Sequence, residues 1–169
     1  MIISPDTFRV RPNGYYDSSF EATAAAWDRT FREFRHALDQ KNPLRVVLLV
    51  GLPGSGKSTW TKHNDHDDHI IIDATLTRKI ERAPLIQLAQ YQQIDVEALV
   101  FLTPMIDCMF RNAERSPDRR VPHNVLARMV ENMQTDPVTL DEGFEWIHAV
   151  RHKVRSPESP TRTSTKRPS

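Results

Sequence analysis

Residues Gly51 to Ser58 read GLPGSGKS, a full match to G-x-x-x-x-G-K-[ST], and no other stretch constrains the fold so tightly. A loop of this kind wraps a phosphate chain with backbone N–H groups. The glycines at 51, 54 and 56 permit turns and close approaches that a Cβ would block. Lys57 can reach β- and γ-phosphates, and Ser58 can offer its hydroxyl to Mg²⁺. The context agrees. RVVLLV, Arg45 to Val50, is an apolar, β-branched run suited to a buried parallel strand, and the residues from Ser58 can open a helix. A chance glycine-rich hairpin is the competing account, but strand, loop, Lys-Ser pair and helix start rarely coincide. The expected nucleoside triphosphate site is therefore Gly51, Leu52, Pro53, Gly54, Ser55, Gly56, Lys57, Ser58 and Thr59.

A chain of 169 residues fits one domain with a substantial core, though a hydrophobic content of 38% leaves room for a polar fraction. The net charge of +1 provides no global basic field, so contact with nucleic acid would rest on a local patch. The single cysteine, Cys108, has no partner for an internal disulfide and lies in the apolar stretch MIDCMF, where a buried, inert thiol is expected. No apolar run reaches the ~20 residues of a membrane span, and the N-terminus lacks the apolar core and basic flank of a signal peptide. The expected setting is reducing and cytoplasmic, without a membrane.

Strands and helices alternate along the chain. The stretch to Tyr16 is punctuated by Pro and Gly and is expected to run extended over the surface. From Ser19 to about Gln40, Phe20, Ala24, Trp27, Phe31, Phe34 and Leu38 recur at three- and four-residue steps, predicting one apolar helical face capped by Asp17, Ser18 or Ser19. A helix of two or three turns should follow the phosphate loop, then a short buried strand, HIIID, at His69 to Asp73. A helix over Lys79 to Gln92 is expected to start nearer Ala83, because Pro84 fits best in a first turn. Val96 to Thr103 reads as a strand and Pro104 to about Glu114 as a helix. Pro122 opens another helix ending near Met133, and FEWIHAV is the final strand. The Ser/Thr/Pro-rich tail after Arg155 has no apolar anchor and is expected to be disordered. The expected organisation is an N-terminal extension with one amphipathic helix (1–43), an α/β domain with a parallel sheet flanked by helices (44–152) and the tail (153–169). The phosphates should lie beyond the strand carboxyl ends, at the helix that Lys57 opens.

Asp73 closes an apolar strand, where an acid can hold Mg²⁺ or orient Ser58; the bland alternative is a cap on the next turn through Thr75 or Thr77. Arg115, Arg119 and Arg120 fall in a polar segment, RNAERSPDRR, that can close on a transferring phosphoryl group or form a solvated basic loop. GLPGSGKSTW, IIIDATLTRKIERAPLIQLA, RNAERSPDRRVPHNVLARM and DEGFEWI occur in an order that resembles the P-loop kinase domain of bacteriophage and bacterial polynucleotide 5′-kinases and their AAA-type relatives. The resemblance covers about Arg45 to Val150. It implies ATP and Mg²⁺ as cofactors, with Lys57 on the phosphates and Ser58 and Asp73 as metal ligands. It further implies that Arg115 acts on the transferred phosphate, and that the acceptor is a hydroxyl, on a nucleic-acid 5′-end or a small alcohol.

One segment departs from that pattern. The family carries a further strand before its D-A-T strand, ending in the Asp that serves as general base. Only Thr59 to Asp68 separates Ser58 from His69 here, too short for it. Either the acceptor module is absent or Asp73 takes the base's role. The replacing residues His63, Asp65, His66, Asp67, Asp68 and His69 can coordinate a transition metal, supply a substitute base, or form a plain polar loop. The N-terminal helix either rebuilds an acceptor wall or covers a sheet edge, and the second is favoured. Two functions remain: a phosphotransferase moving the γ-phosphate of ATP to a hydroxyl, with Lys57, Asp73 and Arg115 catalytic, or a nucleotide-binding regulatory protein that has lost transfer. The sequence fixes neither the acceptor nor the oligomeric state.

Overall fold

The computed structural model describes residues 1–41, 43–65 and 68–151. Ten regular elements follow one another: β1 (Ile2–Ile3), α1 (Phe20–Lys41), β2 (Arg45–Val50), α2 (Lys57–Thr61), β3 (His69–Asp73), α3 (Lys79–Tyr91), β4 (Asp95–Phe101), α4 (Met105–Ala113), α5 (His123–Thr135) and β5 (Trp146–Val150). Short 3₁₀ helices at Pro5–Arg9, Pro117–Arg119 and Leu140–Glu142 link them. The strands form one parallel sheet in the order β1-β3-β2-β4-β5. This is an α/β architecture with helices on both faces. The disorder expected of the tail falls on residues outside the described ones.

The sheet follows from runs of apolar residues buried on both sides. Val46, Leu48 and Val50 of β2, with Ile70 and Ile72 of β3 and Val96 and Ala98 of β4, face Phe34 and Leu38 of α1 and Leu85, Ile86 and Ala89 of α3. Val47, Leu49, Ile71 and Phe101 point the other way, against Trp60 of α2. Continuous apolar strands are what a sheet covered twice requires.

Four expectations need correction. The first residues do not lie over the surface: β1 pairs in parallel with β3, Ile2 opposite Ile71 and Ile3 opposite Ile72, and Ile3 is buried. β1, not α1, therefore covers that sheet edge. On α1 the buried stripe is Ala26, Thr30, Phe34, Ala37 and Leu38, while Phe20 and Ala24 are exposed because the first turns extend past the sheet toward the 3₁₀ helix at Pro5–Arg9. Ser19 is the cap, accepting from the Ala22 N–H at 3.2 Å. α2 has only five residues, little more than one turn. Finally, α3 starts at Lys79 and keeps Pro84 inside. The hydrogen bond this costs would have ended on Ile80, which is exposed, so water can serve its carbonyl. Glu81 offsets the rest by accepting from the Arg78 N–H.

Arg82 then fixes α3 to the far end of the chain. It is fully buried and donates a fork of two 2.7 Å hydrogen bonds to Glu142, itself almost fully buried, and further bonds to the carbonyls of Leu76, Asp136 and Pro137. Removing one partner of such a pair leaves an uncompensated buried charge. Glu142→Ala is expected to destabilise the protein by about 3–5 kcal/mol, lowering the melting temperature by roughly 10 °C or more. Thermal unfolding followed by circular dichroism checks this, and a shift of only a degree or two would contradict it.

Candidate functional site

The carboxyl ends of the parallel strands share one rim, and the residues singled out by the sequence meet there. β2 delivers Gly51 to the rim, where its N–H donates to the Thr75 carbonyl at 3.0 Å just past β3. A Cβ on Gly51 would sit 2.9 Å from the Phe101 Cβ and from Ser55 Oγ, so the loop can lie this close to β4 only without a side chain. Gly54 has φ +83°, and a Cβ there would meet the Cys108 carbonyl at 2.9 Å. Leu52, Pro53 and Ser55 of the loop are buried, and the Ser55 carbonyl accepts from the Thr103 hydroxyl at 2.8 Å. Gly56 precedes α2, and Ser58 and Thr59 are exposed on its first turn.

Lys57 holds the loop from inside. Its ammonium donates to the carbonyls of Gly51 at 2.7 Å and Leu52 at 2.9 Å, and only 7% of the residue is exposed. Burial lowers its pKa to about 8; the Asp73 carboxylate pulls it up, and the Arg115 guanidinium pushes it further down.

Asp73 ends β3 opposite Leu49 of β2, a register that brings its carboxylate to α2. The Ser58 hydroxyl donates to Asp73 Oδ2 at 2.8 Å. Burial raises the pKa of Asp73, while the Ser58 hydrogen bond and the Lys57 charge lower it. A hydroxyl and a carboxylate side by side at the phosphate rim are the oxygen donors that suit Mg²⁺. The residues present therefore fit that ion.

The three arginines of the polar segment are not equivalent. Arg115 is half-buried, whereas Arg120 Nε donates to the Arg115 carbonyl at 2.8 Å and Arg119 lies 5.1 Å over the ring of Tyr16. Buried Asn112 braces the segment through both bonds to the Val121 backbone, at 2.8 and 3.0 Å. Arg111 touches the loop itself, donating to the Gly54 carbonyl at 3.0 Å. The sequence marks Arg111 only as the start of R-N-x-x-R; its four-residue spacing from Arg115, one helical turn, was the available signal. Cys108 is fully buried, and burial raises its pKa, so it is the inert thiol expected.

The described residues of the polar run before β3 make separate, local contacts. His63 contacts its own helix through the Thr59 carbonyl at 2.9 Å, and Asp68 and His69 lie 3.9 Å apart. His66 and Asp67 lie outside the described residues. Among the described residues there is no group of three or more His, Cys, Asp or Glu able to hold a metal ion. No described helix is long and apolar enough to cross a membrane.

A family model described as an AAA domain matches residues 64–136, from the connection before β3 to the end of α5. No curated protein matches the chain. The match spans fewer than half of the residues and begins after the loop; together with the parallel sheet flanked by helices it marks the fold as P-loop NTPase-like.

Gly54→Ala tests the closeness of loop and α4. The left-handed backbone costs an alanine about 1–2 kcal/mol, and the overlap with the Cys108 carbonyl adds to it. ATP affinity should fall at least about tenfold with the circular dichroism spectrum unchanged; titration with a fluorescent ATP analogue at wild-type affinity would contradict this packing.

Proposed function

We propose that the protein is a phosphotransferase that moves the γ-phosphate of ATP to a hydroxyl acceptor. The observation that carries the reading is the Lys57 ammonium inside the loop beside the Ser58–Asp73 hydrogen bond, with the arginine-rich segment tied to the loop through Arg111 and the Gly54 carbonyl. Nucleotide binding alone needs the loop and the metal donors. Half-buried Arg115, four residues after Arg111, adds what transfer needs, a cation for the charge that develops on the phosphoryl oxygens.

In this reading Lys57 and the loop N–H groups hold the triphosphate, and Ser58 and Asp73 hold Mg²⁺. Mg²⁺ held there would supply charge neutralisation for the phosphate oxygens. Arg115 is worth more as the transfer proceeds than at rest. The match to an AAA domain and the resemblance to polynucleotide 5′-kinases support a kinase-like activity. Either a nucleic-acid 5′-end or a small alcohol suits the proposal as acceptor.

Incubating the purified chain with γ-labelled ATP, Mg²⁺ and a panel of 5′-hydroxyl oligonucleotides and small alcohols tests the reading. Labelled product is expected, whereas tight ATP binding without transfer to any acceptor would favour a regulatory nucleotide binder. Two variants sharpen it. Lys57→Ala should abolish productive nucleotide handling with the fold intact. Arg115→Ala should lower turnover by on the order of 10²-fold or more while changing the ATP dissociation constant only a few-fold. An Arg115→Ala protein with wild-type turnover would remove the transfer role.

A further inference from the structure

The phosphotransferase reading leaves one job unfilled, because Asp73 is engaged with Ser58 and assigned to the metal. A carboxylate is still needed to receive the proton of the acceptor hydroxyl. β1 runs parallel to β3, so the chain beyond Ile3 leaves the sheet at the same rim as the phosphate loop. Ser4 donates its hydroxyl to the Asp73 backbone carbonyl at 2.9 Å, which ties the chain to the end of β3. Two residues later comes Asp6.

Asp6 is held and also open. Its Oδ1 accepts a 2.6 Å hydrogen bond from the Tyr16 hydroxyl, with Arg9 Nη1 3.7 Å away, yet 63% of its side chain is exposed. The Ser4 bond to the end of β3, two residues earlier, and the parallel pairing of β1 with β3 place it at the same rim as Asp73. The polar segment with Arg115 closes the other side. The Tyr16 N–H donates to Asp118 Oδ2 at 2.9 Å, and the Tyr16 ring lies between Arg9 at 4.5 Å and Arg119 at 5.1 Å. Tyr16 thus joins Asp6 to the segment that carries Arg115.

Resting on the phosphotransferase reading, we infer that Asp6 is the catalytic carboxylate that takes the acceptor's proton. The acceptor O–H proton passes to an Asp6 oxygen as the acceptor oxygen forms its bond to the γ-phosphorus. The bond from the γ-phosphorus to the β–γ bridging oxygen breaks, ADP leaves with that electron pair, and Asp6 then loses the proton to solvent. The two acids thereby divide the work: Asp73, deeper and bonded to Ser58, serves the metal, and Asp6, open to solvent, serves the acceptor. A merely structural Asp6 would do no more than hold Tyr16 and Arg9 at the surface.

The experiment compares the wild-type chain with Asp6→Asn and Asp6→Glu, using γ-labelled ATP with 5′-hydroxyl oligonucleotides, nucleosides and water as acceptors. ATP affinity is titrated in parallel. Asn keeps an oxygen for the Tyr16 hydroxyl but cannot take a proton. The expected result is a fall in kcat of about 10²-fold or more for Asp6→Asn, with KM and dissociation constant for ATP within a few-fold of wild type. Asp6→Glu should recover part of the loss. Wild-type turnover in Asp6→Asn would overturn the inference and leave the phosphotransferase reading standing. Parallel loss of ATP binding and transfer would also overturn it, by making Asp6 a support of the phosphate site. A wild-type chain that binds ATP but transfers label to none of these acceptors, water included, would overturn both.

Discussion

The rim depends on one buried cation. Burial disfavours the Lys57 charge while Asp73 favours it, and the ammonium donates to the carbonyls of Gly51 and Leu52. Because two of its donors are spent on the loop's own backbone, the ammonium shapes the loop it serves. The glycines follow from that constraint, since the loop held so close to β4 and α4 has no room for a Cβ at 51 or 54. Asp73 reaches the same place from the neighbouring strand by parallel register, and its hydrogen bond to Ser58 fixes the start of α2 against β3.

Much of this was legible in the sequence, for identifiable reasons. RVVLLV and HIIID are unbroken apolar runs, which only a doubly covered strand tolerates, and both strands fall where those runs predict. The loop announces itself by residue type and spacing. Pro104 and Pro122 mark the starts of α4 and α5. Two-residue β1 was not legible, because a pair of isoleucines before Ser-Pro carries no periodicity, and its strand character comes only from the free edge of β3. The buried stripe of α1 was misplaced for a related reason. Apolar spacing marks a face, but which turns of that face are covered depends on where the sheet ends. Arg82 also escaped notice, since its role rests on Glu142 sixty residues away.

The N-terminal residues therefore matter more to the site than their composition implies. Ser4 anchors them to Asp73, Tyr16 joins them to Asp118 and Arg119, and α1 covers the sheet face above. Among the described residues no strand forms between α2 and β3, and β1 occupies the edge beside β3 from the other end of the chain. The segment bearing Arg115 is pinned on one side by Asn112 and on the other by Tyr16.

The central claim is that the loop and the Ser58–Asp73 pair form one site for a Mg²⁺–triphosphate. Calorimetric titration of the full chain with ATP, once with Mg²⁺ and once with EDTA in its place, tests it most directly. The account predicts saturable one-site binding with Mg²⁺ that weakens at least about tenfold, or ~1.4 kcal/mol, when the ion is removed. An affinity indifferent to Mg²⁺, or no saturable binding in either condition, would contradict it.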